Sequence, residues 1–107
     1  MLSRKHIVQQ IGQIIKTVAP GAETIIYGSQ ARGEARPNSD IDVLVLLDGP
    51  GDKPSLQAED SIKWPLYQLE LETGIIISPL ILLKEKWYNN PIKTPFYYNV
   101  MSQGIKL

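Results

Sequence analysis

Residues 40–47 read Asp-Ile-Asp-Val-Leu-Val-Leu-Leu. Every position after Asp42 is apolar, and a run of that kind points to a strand covered on both faces, hence a central one. At its mouth stand two acids one residue apart. Side chains two apart on a strand share a face, so Asp40 and Asp42 aim together. Two carboxylates that close repel, and each raises the pKa of the other. A divalent cation removes the conflict. A small set of hard oxygen ligands, with positions left for water and phosphate, suits Mg²⁺.

The rest of the chain supplies elements to cover that strand. Ile7, Ile11, Ile14, Ile15 and Val18 recur at helical spacing over residues 3–18, with Ser3 as N-cap and Pro20-Gly21 as the stop. Thr24 to Tyr27 reads as a short strand. Gly28 to about Gly33 reads as a tight turn with one helical turn, and Arg36-Pro37-Asn38-Ser39 as loop. Residues 48–55 form an exposed loop. A second helix is expected over 57–73, with Ile62, Leu66, Leu69 and Thr73 facing in, ended by Gly74 and kinked or divided at Pro65. Ile75 to Leu83 reads as a third strand, placed at an edge or bulged because Pro79 cannot donate to a ladder. A short helix or turn around Trp87 and a last helix over 95–103, stopped by Gly104, complete the series. The order is helix, strand, strand, helix, strand, helix: a small α/β or α+β domain with a sheet of three or four strands and helices packed on it.

The 107 residues fit a single domain, 1–107, with a modest core. Lys and Arg number 11, as do Asp and Glu, so the formal net charge is zero. That weighs against nucleic-acid binding driven by bulk charge. There is no cysteine, which removes disulfides, thiolate metal sites and cysteine nucleophiles. The apolar stretch at the N-terminus is too short and interrupted for a signal peptide or membrane span, and the expected location is the cytoplasm.

Gly28-Ser29 complements the acids. A strand that runs into a glycine and then a helical turn leaves backbone N–H groups unpaired, and glycine lets a phosphate approach them. The serine hydroxyl adds a donor. If the two strands lie side by side and end at one edge, this anion cradle faces the acid pair, as a nucleoside triphosphate with its metal requires. Taken singly, each residue has a plainer role. Gly28-Ser29 can be a turn and helix cap, Asp40 a solvated acid at a strand end, and Asp42 an ion-pair partner of Arg32 or Arg36. Arg32 and Arg36 can equally reach a triphosphate. His6 reads as a surface residue. Trp64, Trp87, Tyr97 and Tyr98 are better suited to core or partner contacts than to stacking on a base.

Gly28-Ser29, ten intervening residues, then Asp40-Ile41-Asp42, together with Ala31-Arg32-Gly33 and Ser39, resembles the signature of the minimal nucleotidyltransferases of the DNA polymerase β superfamily. The resemblance implies an α+β nucleotidyltransferase fold with a three- to four-stranded mixed sheet. It implies transfer of a nucleoside monophosphate from a triphosphate, ATP above others, to a hydroxyl. It also implies phosphate binding at Gly28 and Ser29 and Mg²⁺ on Asp40 and Asp42 as the catalytic acids; Arg32, by the chemistry of its guanidinium, is the candidate for nucleotide contact beside them. Stand-alone members resemble the smaller component of toxin–antitoxin pairs whose partner is a helical HEPN-domain protein. Relatives complete the metal site with a third carboxylate on a neighbouring strand. Here that strand reads Gly-Ile-Ile-Ile-Ser-Pro-Leu, and Ser78 stands where the acid is expected. Glu70 and Glu72 lie at a helix end, poorly placed to substitute. Without a general base, transfer should slow by about 10²–10⁴-fold. The alternative is a catalytically weak or inactive nucleotide-binding regulator.

Overall fold

The computed structural model describes residues 3–107. The first helix, α1, spans Arg4–Val18, and the Ser3 hydroxyl accepts the His6 N–H as its N-cap. Its buried side is Ile7, Ile11 and Ile15. Val18, expected inward, is 38% exposed; it is the last residue of α1, and Ala19 and Ala22 of the turn that follows pack on the core instead. Strand β1 is Glu23–Tyr27 and β2 is Ile41–Leu47, joined through the short helix α2, Gly28–Arg32, and a loop. Helix α3 runs Leu56–Thr73, followed by β3 (Ile77–Leu83), α4 (Lys84–Tyr88), α5 (Pro95–Gln103) and β4 (Ile105–Lys106).

The strands form one mixed sheet in the order β3-β2-β1-β4. β2 lies antiparallel to β1 and parallel to β3, and β4 adds antiparallel to β1. β2 is thus interior, as its apolar run requires, and both faces are covered. Ile41, Val43, Val45 and Leu47 point to a core shared with Ile7, Ile11 and Ile15 of α1 and Ile62, Leu66 and Leu69 of α3. Leu44 and Leu46 point the other way, to a smaller core with Ile25, Trp87 and Val100. The molecule is three layers: the α1/α3 pair, the sheet, and the α4/α5 pair.

β3 is an edge strand, and its hydrogen bonds show how it tolerates Pro79. The Ile41 N–H donates to the Ile76 carbonyl at 2.9 Å, so that carbonyl faces β2. The Ile77 N–H instead faces outward and donates to Glu70 Oε1 at 2.9 Å. Pro79, two residues on, shares the outward direction, where a missing N–H breaks no ladder bond. The strand starts at Ile77 rather than Ile75; Ile75 packs on the larger core and Ile76 is 53% exposed. Pro65 does not divide α3, which is continuous across it. Thr73, half-buried, donates its hydroxyl to the Leu69 carbonyl and so closes the helix end. Gly74 ends α3 in a left-handed conformation with φ +74°.

Candidate active site

The C-terminal end of β1 and the N-terminal ends of β2 and β3 meet at one edge of the sheet. Tyr27 is paired with Asp42 across β1–β2, and Asp42 with Ser78 across β2–β3. Leu44 and Leu46 pack in the α4/α5 layer. Alternation therefore puts Asp42, and Asp40 two residues before it, on that same face. Asp40 is exposed in the loop just before the strand, and Asp42 is half-buried within it.

Gly28 opens α2 directly against this pair. Its φ is +71°, a region that disfavours a side chain. A Cβ at Gly28 would lie 2.5 Å from Asp42 Oδ2. A side chain at this position would have to displace the Asp42 carboxylate. Tyr27, the N-cap of α2, makes no side-chain capping bond, which leaves the first-turn N–H groups without a side-chain acceptor. Ser29 follows, half-buried at the same turn.

The electrostatics fit a cation site. Asp42 is raised above the ordinary carboxylate range, first by burial and then by the Asp40 charge, against a lowering pull from Arg32. The Tyr27 hydroxyl is raised too, by burial and then by the Asp42 charge. Neither acid forms an ion pair with Arg32 or Arg36 among the described residues; Arg32 pairs instead with Glu34. Two carboxylates whose charges repel, beside a turn that favours glycine, are a donor set that a divalent cation with its waters and a phosphate would satisfy.

The structure thus brings Gly28, Ser29, Asp40 and Asp42 to one edge, with Arg32 on α2 close enough to act on the Asp42 charge. Arg36 is an exposed loop residue whose N–H donates to the Ser39 hydroxyl. Among the described residues no group of three His, Cys, Asp or Glu forms a candidate metal cluster. Opposite the acids on β3 stand Ser78 and, one step outside the paired register, the exposed Ile76. Glu70 is committed to the Ile77 N–H on the outer side of β3. A hollow of about 310 Å³ lined by Val18, Pro20, Gly21, Leu47 and Asp48 lies at the far end of β2, away from this chemistry.

Two neighbours of the site carry no sequence signal of their own. Tyr27 packs edge-on to Phe96 with ring centroids 5.3 Å apart, so α5 borders the site through an aromatic contact. Arg4, on the first turn of α1, reaches the site from 26 residues away through Gln30. Trp87 is buried and packs against Tyr97 at 4.9 Å, Tyr98 is 59% exposed beside Tyr97, and Trp64 is 61% exposed on α3. Those four do not form one platform.

A Gly-Ser turn set against an Asp-x-Asp strand, on a mixed sheet layered by helices, is the arrangement of a nucleotidyltransferase domain. A family model with the description nucleotidyltransferase domain matches residues 8–99, and the chain belongs to that family. A Methanocaldococcus jannaschii protein, named as a candidate protein adenylyltransferase, is 30% identical over 95% of this chain and 96% of its own length. The bifunctional uridylyltransferase/uridylyl-removing enzyme of Bordetella pertussis is 33% identical over 66% of this chain, which spans only 8% of that enzyme. Among solved structures, a chain from a toxin–antitoxin determined with AMP-PNP superposes with TM-score 0.60 at 20% identity, covering 92% of this chain and 69% of that one. A chain from a mutant of the toxin–antitoxin MntA-HpeT gives TM-score 0.59 at 19% identity, covering 100% and 72%. These two likenesses establish the shared fold.

Proposed function

We propose that this edge binds a Mg²⁺–nucleoside triphosphate, ATP above others, and transfers its nucleoside monophosphate to a hydroxyl on a partner protein. The observation that carries the reading is the contact between turn and acids, in which Gly28 leaves no room for a Cβ beside Asp42 Oδ2. Asp40 and Asp42 would hold the cation, which when bound neutralises phosphate charge. Gly28 and Ser29 would hold the β- and γ-phosphates, and Arg32 would add charge at the same end. In the transfer, the acceptor oxygen forms a bond to the α-phosphorus and the bond from that phosphorus to the β-phosphate oxygen breaks. Pyrophosphate leaves, and the hydroxyl proton passes to solvent or to a base on the partner. The protein relative named as an adenylyltransferase and the toxin–antitoxin neighbours support a protein acceptor, and we take a helical HEPN-domain protein as that partner.

A second reading is favoured by one observation: Ile76 and Ser78 stand where a third acid would face the first two. On it, the chain binds the nucleotide and partner as a regulator with little turnover. Calorimetric titration of ATP, with and without Mg²⁺, tests what both share. Binding that needs the metal and disappears in Asp40→Asn/Asp42→Asn is expected; metal-independent binding, or none in the folded wild type, overturns both. Labelled ATP incubated with the co-expressed partner then separates them, since incorporation into the partner supports transfer and its absence supports the regulator.

A further inference from the structure

We propose that Arg4 is a positioning residue that holds the loop ending in Asp40 against the short helix of the Gly-Ser turn. Its Nε donates to Gln30 Oε1 on α2 at 2.8 Å. Its Nη1 donates to the Pro37 carbonyl at 3.3 Å and its Nη2 to the Asp40 carbonyl at 3.5 Å. One planar guanidinium thereby addresses the short helix that carries Gly28-Ser29 and the loop that ends in Asp40. The bonds span 26, 33 and 36 residues of sequence. No other side chain among the described residues donates to both α2 and the Asp40 backbone.

The placement of Arg4 costs its own helix something, as does that of Lys5 beside it, but of the two it is Arg4 that has partners across the fold. It occupies the first position of α1, whose first turn holds no acid to offset it. A cation at a helix N-terminus opposes the macrodipole by about 0.3–1 kcal/mol, and local rules are most often broken where a residue serves a site. The segment it braces needs bracing. Residues 33–40 have no regular structure, and their bonds are local, as Glu34 N–H to the Ser29 carbonyl at 2.9 Å and Ser39 N–H to the Arg36 carbonyl at 3.0 Å. The ladder pair Tyr27–Asp42 holds Asp42 beside α2, but among the described residues no other side-chain bond ties the loop at Asp40 to α2, and a misplacement of about 1 Å can cost about 10²-fold in a reaction that depends on alignment. Arginine suits the task because its donors lie in one rigid fork; lysine offers a single point of attachment.

This inference rests on the nucleotide reading for its functional consequence, though the brace can be measured without it. The test is amide hydrogen exchange in wild type, Arg4→Ala, Arg4→Lys and Gln30→Ala, with ATP–Mg²⁺ titrations on the same samples. In Arg4→Ala the amides of Glu34 and Ser39 should exchange at least tenfold faster, while Val43 and Val45 in the core keep their rates. Arg4→Lys should follow alanine, and Gln30→Ala should move the same amides by less. ATP–Mg²⁺ affinity should fall about tenfold in Arg4→Ala. Unchanged exchange at Glu34 and Ser39, equal acceleration throughout the core, or lysine behaving as wild type each overturns the brace. If wild type binds no ATP, the nucleotide reading fails while the exchange result still decides the role of Arg4.

Discussion

Two residues, Gly28 and Asp42, set the physics of the site, and each has a consequence that can be measured. Gly28 holds φ +71°, and an added Cβ would sit 2.5 Å from Asp42 Oδ2. Left-handed backbone costs a side chain about 1–2 kcal/mol, before any displacement of the carboxylate. Gly28→Ala should therefore lower stability by at least about 1 kcal/mol in a denaturant melt, and should weaken ATP–Mg²⁺ binding because the acid must swing away. Asp42 behaves differently. Its folded carboxyl is raised, chiefly by burial and then by Asp40, so the native state holds the proton more tightly than the unfolded chain. That contribution is fully present below the unfolded pKa and is lost as pH rises through the folded pKa. Asp42→Asn should thus melt above wild type at neutral pH, with the gap closing below about pH 4 where the carboxyl is protonated in both states. Mg²⁺ should narrow the neutral-pH gap by stabilising wild type alone. A variant less stable than wild type at pH 7 would contradict the argument from burial and repulsion.

At the scale of elements, sequence reasoning works where a pattern is local. The ten-residue spacing from Gly28-Ser29 to Asp40 and Asp42, the apolar run of β2 and the proline of β3 each state a structural fact within a short window. What escaped is non-local or too small to have a period. β4 is two residues, Ile105–Lys106, and exists only because it meets Ile25 and Ile26 of β1. Arg4 gains its meaning from partners 26 to 36 residues away. Val18 fits the spacing of α1 but is its last residue, and Ala19 and Ala22 of the following turn pack on the core in its place. Pro65 predicts a kink or a division of α3; the helix is not divided, and Ile62, Leu66 and Leu69 anchor the flanking turns in the core. Tertiary burial overrides the local cost without abolishing it. Pro65→Ala supplies the N–H that the Ser61 carbonyl lacks and should stabilise the protein by about 1–3 kcal/mol. A thermal melt shows this as a rise of several degrees; a fall would mean that packing of the proline ring matters more than the missing bond.

For the whole molecule, the question is whether one chain contains a complete site. Its family is established, and its acids and phosphate turn converge, yet β3 presents Ile76 and Ser78 to them where a carboxylate would complete the set. The missing group can be absent from the chemistry or can come from a bound partner. Ser78→Asp separates these. Ser78 is the parallel-register neighbour of Asp42 and half-buried, so an added carboxylate there joins the pair and increases their repulsion. The metal-free variant should therefore be less stable than wild type, and Mg²⁺ should restore more stability to it. If the site lacks its base, Ser78→Asp should raise transfer from labelled ATP to the partner by about 10²-fold or more. If the partner already supplies the base, Ser78→Asp should leave transfer to the partner near the wild-type rate. Ile76→Asp is the comparison, because that position is 53% exposed and tolerates a charge at less cost. A gain at position 76 with none at 78 would move the third acid one step outward, opposite Asp40. No transfer to the partner from wild type or from either variant, in proteins that still bind ATP–Mg²⁺, would favour the regulator over the enzyme.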